Sequence, residues 1–475
     1  MQLPLSTRQT QPGTVSTTQS TTNAGGGNSV NLLNSSTNVQ GAYAGSTPEG
    51  TASATALSLT LDDALSRALR HNLGQLLENE AAQQAEGQRL VARSTLMPNL
   101  NAVVRETVEQ INLRTMGVEV ASFPETVGPF NYFDARGTFQ QTVLDFVRLN
   151  NLRSARENVE AARQGFRNAR DLVVLAVAGS YMQIIAINAR VEAARAQVES
   201  SRAVNKQAVD RLRVGLDARI DVTRTQVQLQ TDQQRLRSLV ADLDRQKLRL
   251  SRIVGLPLGQ QFNIADNFPY RPLTGLTIED ALTRAAQNRA DLKAAEAGVH
   301  AAEDSLKAAR SERLPALQLN ADWGAAGLRP TAEAHSVFTV SGSLVVPIYQ
   351  GGRIHGDIEQ ANATLRARRA EYGDIRGQVD EDVRQAFINL NAAADQVDVA
   401  QSNVSLAHDT LRQAEHRFEA GVADTVEVVQ AEQTVVQADN DYISAVFEHN
   451  LAKVSLARAM GAAEQRLGTF LAKQP

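Results

Sequence analysis

The chain has no cysteine, few aromatic residues and no excess of either charge. The absence of cysteine from 475 residues excludes disulfides, thiolate metal sites and a lipidated N-terminal cysteine. Aromatic residues make up only 4% of the chain, and a composition rich in Ala, Gln, Arg, Leu and Val is typical of closely packed long helices. Because 48 basic residues are balanced by 52 acidic ones, no basic surface is available for a polyanion, and nucleic acid is excluded as a partner.

Long hydrophobic runs are also missing. No run of 18 apolar residues is present, so the sequence predicts no transmembrane helix, although the strands of an outer-membrane barrel would escape this criterion. The N-terminus lacks the basic and then apolar pattern of a signal peptide, so either an export signal has been removed or the protein is not exported, and we expect removal. Residues 1–56 are rich in Ser, Thr, Asn, Gln and Gly, which predicts an extended or disordered arm.

Proline is distributed unevenly, and its gaps indicate where long helices run. None of the 13 prolines lies between Pro129 and Pro257, or between Pro347 and Pro475. Within the first gap, apolar residues recur every three or four positions from about 149 to 212, which predicts a coiled-coil helix of roughly 90–100 Å. A glycine turn follows the long helix in each gap, at Gly215 and at Gly421, and a second heptad helix then returns.

The sequence is duplicated. The segment Leu59–Ala68 returns as Leu276–Ala285, and Val254-Gly255 is matched by Met460-Gly461. We therefore divide the chain into an N-terminal low-complexity arm, two structural repeats that each contain a helix, two strands and a long helical hairpin, and a C-terminal tail. Their ranges are 1–56, 57–266, 267–465 and 466–475.

The pattern changes from a helical period to strict alternation after Pro98 and after Pro315. Residues 317–325 and 337–346 alternate between apolar and polar side chains, which suits a membrane barrel with a wet interior. A half-buried sheet in a soluble protein would give the same alternation, and this alternative stays open. Because four strands cannot close a barrel, strands in a membrane would have to come from several protomers, and three protomers would supply twelve strands.

This order of elements resembles the TolC-like outer-membrane efflux family over residues 57–465. The resemblance is carried by the duplicated Leu59–Ala68 segment, the strands that begin after Pro98 and Pro315, the paired glycine turns and the junction Pro347–Arg353. It implies a mainly α fold with a β membrane barrel. Three protomers would form an α-helical barrel from their long heptad helices and share a twelve-stranded β-barrel in the outer membrane, and the helices would extend into the periplasm.

The resemblance also implies a function and its partners. Members of the family export drugs, toxins or proteins passively, as the exit duct of a tripartite efflux or type I secretion system. Their partners are the other two protomers, the lipid of the outer membrane, a periplasmic adaptor and an inner-membrane pump. The turns that match the family's adaptor-docking tips contain Val214, Gly215 and Leu216 in the first repeat and Ala420, Gly421 and Val422 in the second.

Near those tips the family closes its tube with acidic rings and polar bridges. Asp221 and Glu427 match acidic positions of the family, whereas Gln430 replaces a second acid, so that one ring of charge per trimer is weaker or lost. The family's arginine after the second turn is Ala423 here, and Arg219 and Arg224 are candidates for alternative bridges. A ring of carboxylates on a symmetry axis attracts cations and resists tight closure. The alternative is that these acids belong to solvated faces near helix N-termini.

No catalytic constellation is found in the sequence. The seven histidines do not form a helical zinc motif, and neither a phosphate-binding loop nor a nucleophile elbow is present. The sequence therefore predicts a protein that is not an enzyme and that needs no cofactor or metal. A soluble or periplasmic coiled-coil scaffold with β-hairpins is the alternative from another class, whereas a periplasmic adaptor fits poorly because helices far outnumber strands.

Overall fold

A computed structural model describes residues 13–22, 32–117, 124–215, 218–273, 275–329, 334–423 and 425–471. The chain forms two compact units, and each contains segments from both sequence repeats. Unit 1 comprises Met1–Glu80, Gln164–Lys293 and Asp374–Pro475, and unit 2 comprises Ala81–Arg163 and Ala294–Gly373. Most of the described residues are helical, as the sequence predicted.

The helices and strands follow a similar order in the two halves of the chain. The first half contains β1 (Val15–Thr22), β2 (Leu32–Val39), β3 (Leu57–Leu59), α1 (Leu61–His71), α2 (Leu73–Ser94), β4 (Asn99–Asn112), β5 (Thr126–Leu144), α3 (Phe146–Arg213), α4 (Arg219–Val254) and β6 (Phe262–Ile264). The second half contains α5 (Ile278–Asn288), α6 (Ala290–Ser311), β7 (Ala316–Gly327), β8 (Ala334–Val345), α7 (Arg353–Glu419), α8 (Thr425–Ala459) and α9 (Ala463–Leu471).

The hydrophobic core of unit 1 is built around helix α3. Val173, Val177 and Tyr181 are fully buried there, and they belong to one cluster with residues of α1, α4, α8 and α9. Contrary to the sequence prediction, a stretch of α3 is long and apolar enough to cross a membrane by length and composition. This stretch is 67% buried within the protein, which is the behaviour of a core helix.

The start of each repeat is fixed by a side-chain cap, as the sequence predicted. Thr60 and Thr277 each lie in extended backbone immediately before a helix, and their hydroxyls accept hydrogen bonds from the backbone N–H of Asp63 and Asp280. The two short strands β3 and β6 pair in parallel, which joins the beginning and the end of the first repeat.

The described part of the N-terminal arm contains paired strands, where the sequence predicted an extended or disordered chain. Strands β1 and β2 form an antiparallel pair, and Val15 lies opposite Val39. Helix α3 accommodates β2 at Gly179, where an added Cβ would lie 2.1 Å from Thr37 Oγ1. A polar segment of low complexity can thus be ordered by its contact with a helix.

Unit 2 contains an antiparallel sheet in the order β4-β5-β7-β8. Side chains alternate across it, so that one face is apolar and the other is polar. The apolar face carries large exposed side chains, among them Leu100, Val104, Trp323, Phe338, Val340 and Leu344. On the polar face Arg136 forms an ion pair with Asp134 at 2.7 Å and approaches Asp322 of the next strand at 3.6 Å.

Candidate functional site

The two long helices of the repeats end at glycine turns within unit 1. Helix α3 ends at Arg213 and helix α7 at Glu419, and two residues later Gly215 and Gly421 have φ angles of +79° and +72°. Glycine is favoured in this left-handed region because it has no Cβ to clash with the backbone. At the second turn the backbone N–H of Val422 donates to the carbonyl of Arg417 at 2.9 Å, which closes the end of the helix.

Both turns present apolar side chains to the solvent. Val214 and Val422 are each 70% exposed, and Ala420 and Gly421 are exposed beside Val422. Leu216, the third candidate of the first turn, lies outside the described residues. The described members of the two turns are therefore accessible in this chain, as a docking surface requires.

Asp221 is held by two partners at the start of the returning helix α4. Arg224 Nη1 lies 3.1 Å from Asp221 Oδ1, one helical turn further along. Thr425 Oγ1, at the first residue of α8, donates to the same carboxylate oxygen at 2.9 Å. Asp221 thus joins the beginnings of the two returning helices and pairs with Arg224 within α4, while a bridge by Arg224 that closes the tube stays a prediction.

Glu427 is paired across the second turn. Arg417 Nε, near the end of α7, lies 3.1 Å from Glu427 Oε1 on α8. The side chains are 59% and 41% exposed, so water weakens their attraction. This ion pair connects the outgoing helix to the returning helix.

The other two candidates lie outside these networks. Arg219 is exposed at the first residue of α4, and within the described chain its side chain forms no ion pair. Gln430 is exposed one turn beyond Glu427, and its backbone carbonyl accepts a hydrogen bond from Thr434 Oγ1 at 2.9 Å. The structure therefore joins Asp221 to Arg224 and Glu427 to Arg417, but it joins neither acid to Arg219 or Gln430.

A small apolar cluster supports the second turn. Phe418 is 5% exposed and packs with Ala414, Val428 and Ala431. The guanidinium carbon of Arg211, on α3, lies 4.7 Å from the centre of the Phe418 ring. A cation above an aromatic face is attracted by the ring's negative potential, so this contact links the ends of the two long helices.

Two members of the site were missed by the sequence analysis. Arg417 stands four residues before Gly421, as Arg211 does before Gly215, and this equivalence was the available signal. Thr425 gave no signal, because a threonine at the first position of a helix is an ordinary residue. Only the packing of α4 against α8 reveals that it binds Asp221.

A pair of buried acids lies further along the same helices and was also missed. Glu432 of α8 is 1% exposed, and its Oε1 accepts a hydrogen bond from Ser200 Oγ at 2.7 Å. Asp232 of α4 is 6% exposed and accepts hydrogen bonds from Ser201 at 2.5 Å and from Gln228 at 3.1 Å. Burial raises the pKa of Glu432 above its ordinary value, and the nearby charge of Asp232 adds to that effect.

The described ranges contain no cluster of three or more His, Cys, Asp or Glu side chains that could hold a metal ion. The acids near the turns are instead paired with arginine, serine, threonine or glutamine. Such an arrangement positions charge and joins helices.

A sequence model of the outer membrane efflux protein family matches residues 64–256 and 281–462. The pyoverdine export outer membrane protein OpmQ of Pseudomonas aeruginosa is 22% identical over 408 residues, which cover 84% of this chain and 85% of that relative. The outer membrane protein TolC of Vibrio cholerae is 23% identical over 401 residues, which cover 82% of this chain and 88% of TolC.

Solved structures share the fold at lower sequence identity. The CmeC outer membrane channel of Campylobacter jejuni aligns with a TM-score of 0.76 at 15% identity, over 85% of this chain and 86% of CmeC. The outer membrane protein VceC of Vibrio cholerae aligns with a TM-score of 0.72 at 19% identity, over 84% of this chain and 96% of VceC.

Proposed function

Because this chain belongs to the outer membrane efflux protein family, we propose that it is the exit duct of a tripartite efflux or type I secretion system. The protein is located in the outer membrane, as the sequence predicted. As a duct it conducts its cargo passively, and an inner-membrane pump supplies the energy through a periplasmic adaptor. The relatives include a pyoverdine exporter and an alkaline protease secretion protein, so both small molecules and proteins are candidate cargo.

The observation that carries this proposal is the four-stranded sheet of unit 2. Within the described residues β4 and β8 each pair on one side only, and the apolar face between them is exposed. An open sheet edge in lipid would leave backbone N–H and C=O groups without partners. Three copies joined edge to edge, β8 of one to β4 of the next, would form a closed barrel of twelve strands with a wet interior.

In such a trimer the helix turns would surround the periplasmic entrance. Asp221 and Glu427 would then each form a ring of three carboxylates around the symmetry axis, which favours cations and opposes complete closure. The position of Gln430 contributes no charge. The contacts Asp221–Thr425 and Glu427–Arg417 would hold the entrance by joining neighbouring helices within each protomer.

The exposed turns are proposed to receive the periplasmic adaptor. Val214 and Val422 offer apolar surface beside glycines without side chains, and a helical partner could approach the backbone closely there. Gly215, Leu216, Ala420 and Gly421 complete this surface in the proposal. The left-handed turns set the shape of the surface, and the valines supply its apolar contacts.

Detergent extraction followed by mass determination tests the proposal. We expect a trimer that requires detergent and that conducts ions in a planar lipid bilayer. Recovery in the soluble fraction without detergent, as a monomer or dimer, would instead support the alternative of a coiled-coil scaffold with β-hairpins. The conductance measurement separates a duct from a membrane-bound scaffold.

A further inference from the structure

The apolar face of the sheet is interrupted by one charged residue. In the regular part of the described sheet this face carries residues such as Leu100, Val104 and Trp323, and Glu106 is its only ionisable side chain. Glu106 is exposed, and its Oε1 accepts a hydrogen bond from Asn131 Nδ2 at 3.4 Å. A carboxylate is costly among acyl chains, and this cost falls towards the edges of the hydrocarbon layer.

The register places Glu106 at a defined height. Glu106 lies opposite Phe133, and Phe133 lies opposite Gly327, the last residue of β7. The apolar face begins about ten residues lower, where Leu317 lies opposite Leu344. At about 3.3 Å per residue and a strand tilt of about 40°, these residues span roughly 25 Å, which is the height of a barrel's apolar band.

The hairpin of β4 and β5 continues beyond this level. Among the described residues, the pairing of residues 107–112 with residues 126–132 has no counterpart in β7 or β8, because β7 ends at Gly327 and β8 begins opposite it at Ala334. If the apolar band fills the hydrocarbon layer, these additional residue pairs of β4 and β5 would lie above that layer. An amide and a carboxylate at its edge suit a hydrated layer of headgroups.

We propose that Glu106 marks the outer boundary of the membrane-embedded band, and that the β4–β5 hairpin beyond it contacts the headgroup layer of the outer leaflet rather than acyl chains. This inference rests on the proposed function, since it requires the apolar face to meet lipid. It assigns two environments to one continuous sheet face, with the change at a single residue.

The absence of cysteine makes the test direct, because a single introduced thiol can carry a nitroxide spin label without background. Val104→Cys and Val108→Cys form a matched pair on the same strand and face, two residues below and above Glu106. The two valines are 72% and 69% exposed, so neither substitution opens a core. Val340→Cys, in the middle of the band, serves as the reference for a lipid environment.

The labelled full-length protein is reconstituted into vesicles of phosphatidylcholine and phosphatidylglycerol, and collisions with oxygen and with a water-soluble nickel complex are compared. We expect oxygen to dominate at positions 340 and 104 and the nickel complex to dominate at position 108. Oxygen dominating at all three positions would overturn the boundary and leave the duct intact. The nickel complex dominating at all three would mean that the face does not meet lipid, and the proposed function itself would fail.

Discussion

Arg417 and Glu427 form an ion pair between two helices that run in opposite directions from one turn, with 3.1 Å between Nε and Oε1. The long helix α7 therefore contacts the returning helix α8 through this ion pair as well as through the packing of Phe418. Exposed pairs of this kind contribute at most about 1 kcal/mol each. Several weak connections of this strength would allow the ends of the helices to separate without unfolding the protein.

The first prediction concerns the conductance of the pore. We expect Glu427→Gln to raise single-channel conductance modestly, because loss of the pair with Arg417 loosens the entrance more than loss of the charge weakens its attraction for cations. Combining it with Asp221→Asn should raise conductance further, because Asp221 also binds Arg224 and Thr425. Glu419→Gln, exposed just before the second turn, is the control. Unchanged conductance in both variants would remove these acids from the entrance.

The second prediction compares the hydrogen bond between Thr425 and Asp221, which joins two helices, with a hydrogen bond inside one helix. Thr425→Val keeps the shape of a buried side chain but removes the hydroxyl that donates to Asp221 at 2.9 Å. We expect the free energy of unfolding to fall by about 1–2 kcal/mol, since the half-buried Asp221 carboxylate loses a hydrogen bond from a buried hydroxyl. Thr434→Val is the matched control on the same helix, because its exposed hydroxyl bonds only to the carbonyl of Gln430. If denaturant titrations gave equal effects for the two substitutions, the hydrogen bond from Thr425 to Asp221 would not stabilise the contact between α4 and α8.

Much of the architecture follows from local patterns in the sequence. The Pro-free heptad stretch predicted a helix from about 149 to 212, and the structure has Phe146–Arg213. Gly215 and Gly421 predicted the turns, because few other residues tolerate a positive φ. Thr60 and Thr277 predicted the starts of helices through their caps. In each case the determining interaction lies within a few residues of the chain.

The contacts between distant segments could not be predicted in the same way. Thr425 binds Asp221 and Glu432 binds Ser200 across helices that are separated by about two hundred residues in sequence. The docking of β2 on α3 also depends on one glycine, Gly179, in a helix where glycine gives no strong signal. A single sequence records which faces are apolar, but it does not record which polar residues meet across them.

A third prediction concerns a buried arginine in unit 1. Arg289 is 4% exposed, and its guanidinium lies 2.6 Å from Asp291 and 2.8 Å from Asp382 of helix α7. Arg289→Met should reduce the free energy of unfolding by about 3 kcal/mol, because two carboxylates lose their shared cation. Arg384→Met is the control, since Arg384 pairs only with Asp380 of its own helix and both side chains are more than half exposed. If Arg289→Met reduced the free energy of unfolding no more than the control does, the ion pairs of Arg289 with Asp291 and Asp382 would not stabilise the fold.

A fourth prediction tests whether contact with α3 at Gly179 holds the strand pair β1–β2, called here the N-terminal hairpin, in place. Gly179→Ala would place a methyl group 2.1 Å from Thr37 Oγ1, so β2 must move away from α3. We expect protease cleavage within residues 13–39 to become faster, and a second substitution, Thr37→Gly, to restore resistance. Gly165→Ala on the same helix is the control, because its methyl group would meet only Glu78 Oε2 at 3.5 Å. Unchanged cleavage of Gly179→Ala would show that the hairpin does not depend on this contact.

The last prediction concerns Glu432, whose pKa is raised above its ordinary value of 4.5 in the folded protein, chiefly by burial. As the pH rises through that value, the unfolded chain releases the Glu432 proton while the folded chain retains it. The folded state therefore becomes less stable, until the pH exceeds the raised pKa and the loss of stability becomes constant.

Glu432→Gln cannot titrate and keeps an oxygen for Ser200, so it should be more stable at neutral pH and its stability should depend less on pH above 4.5. Thermal unfolding of the wild type, Glu432→Gln and the exposed control Glu419→Gln from pH 4 to 8 measures this difference. If Glu432→Gln followed the wild-type curve, the carboxyl group would have to be as well solvated in the folded protein as in the unfolded chain.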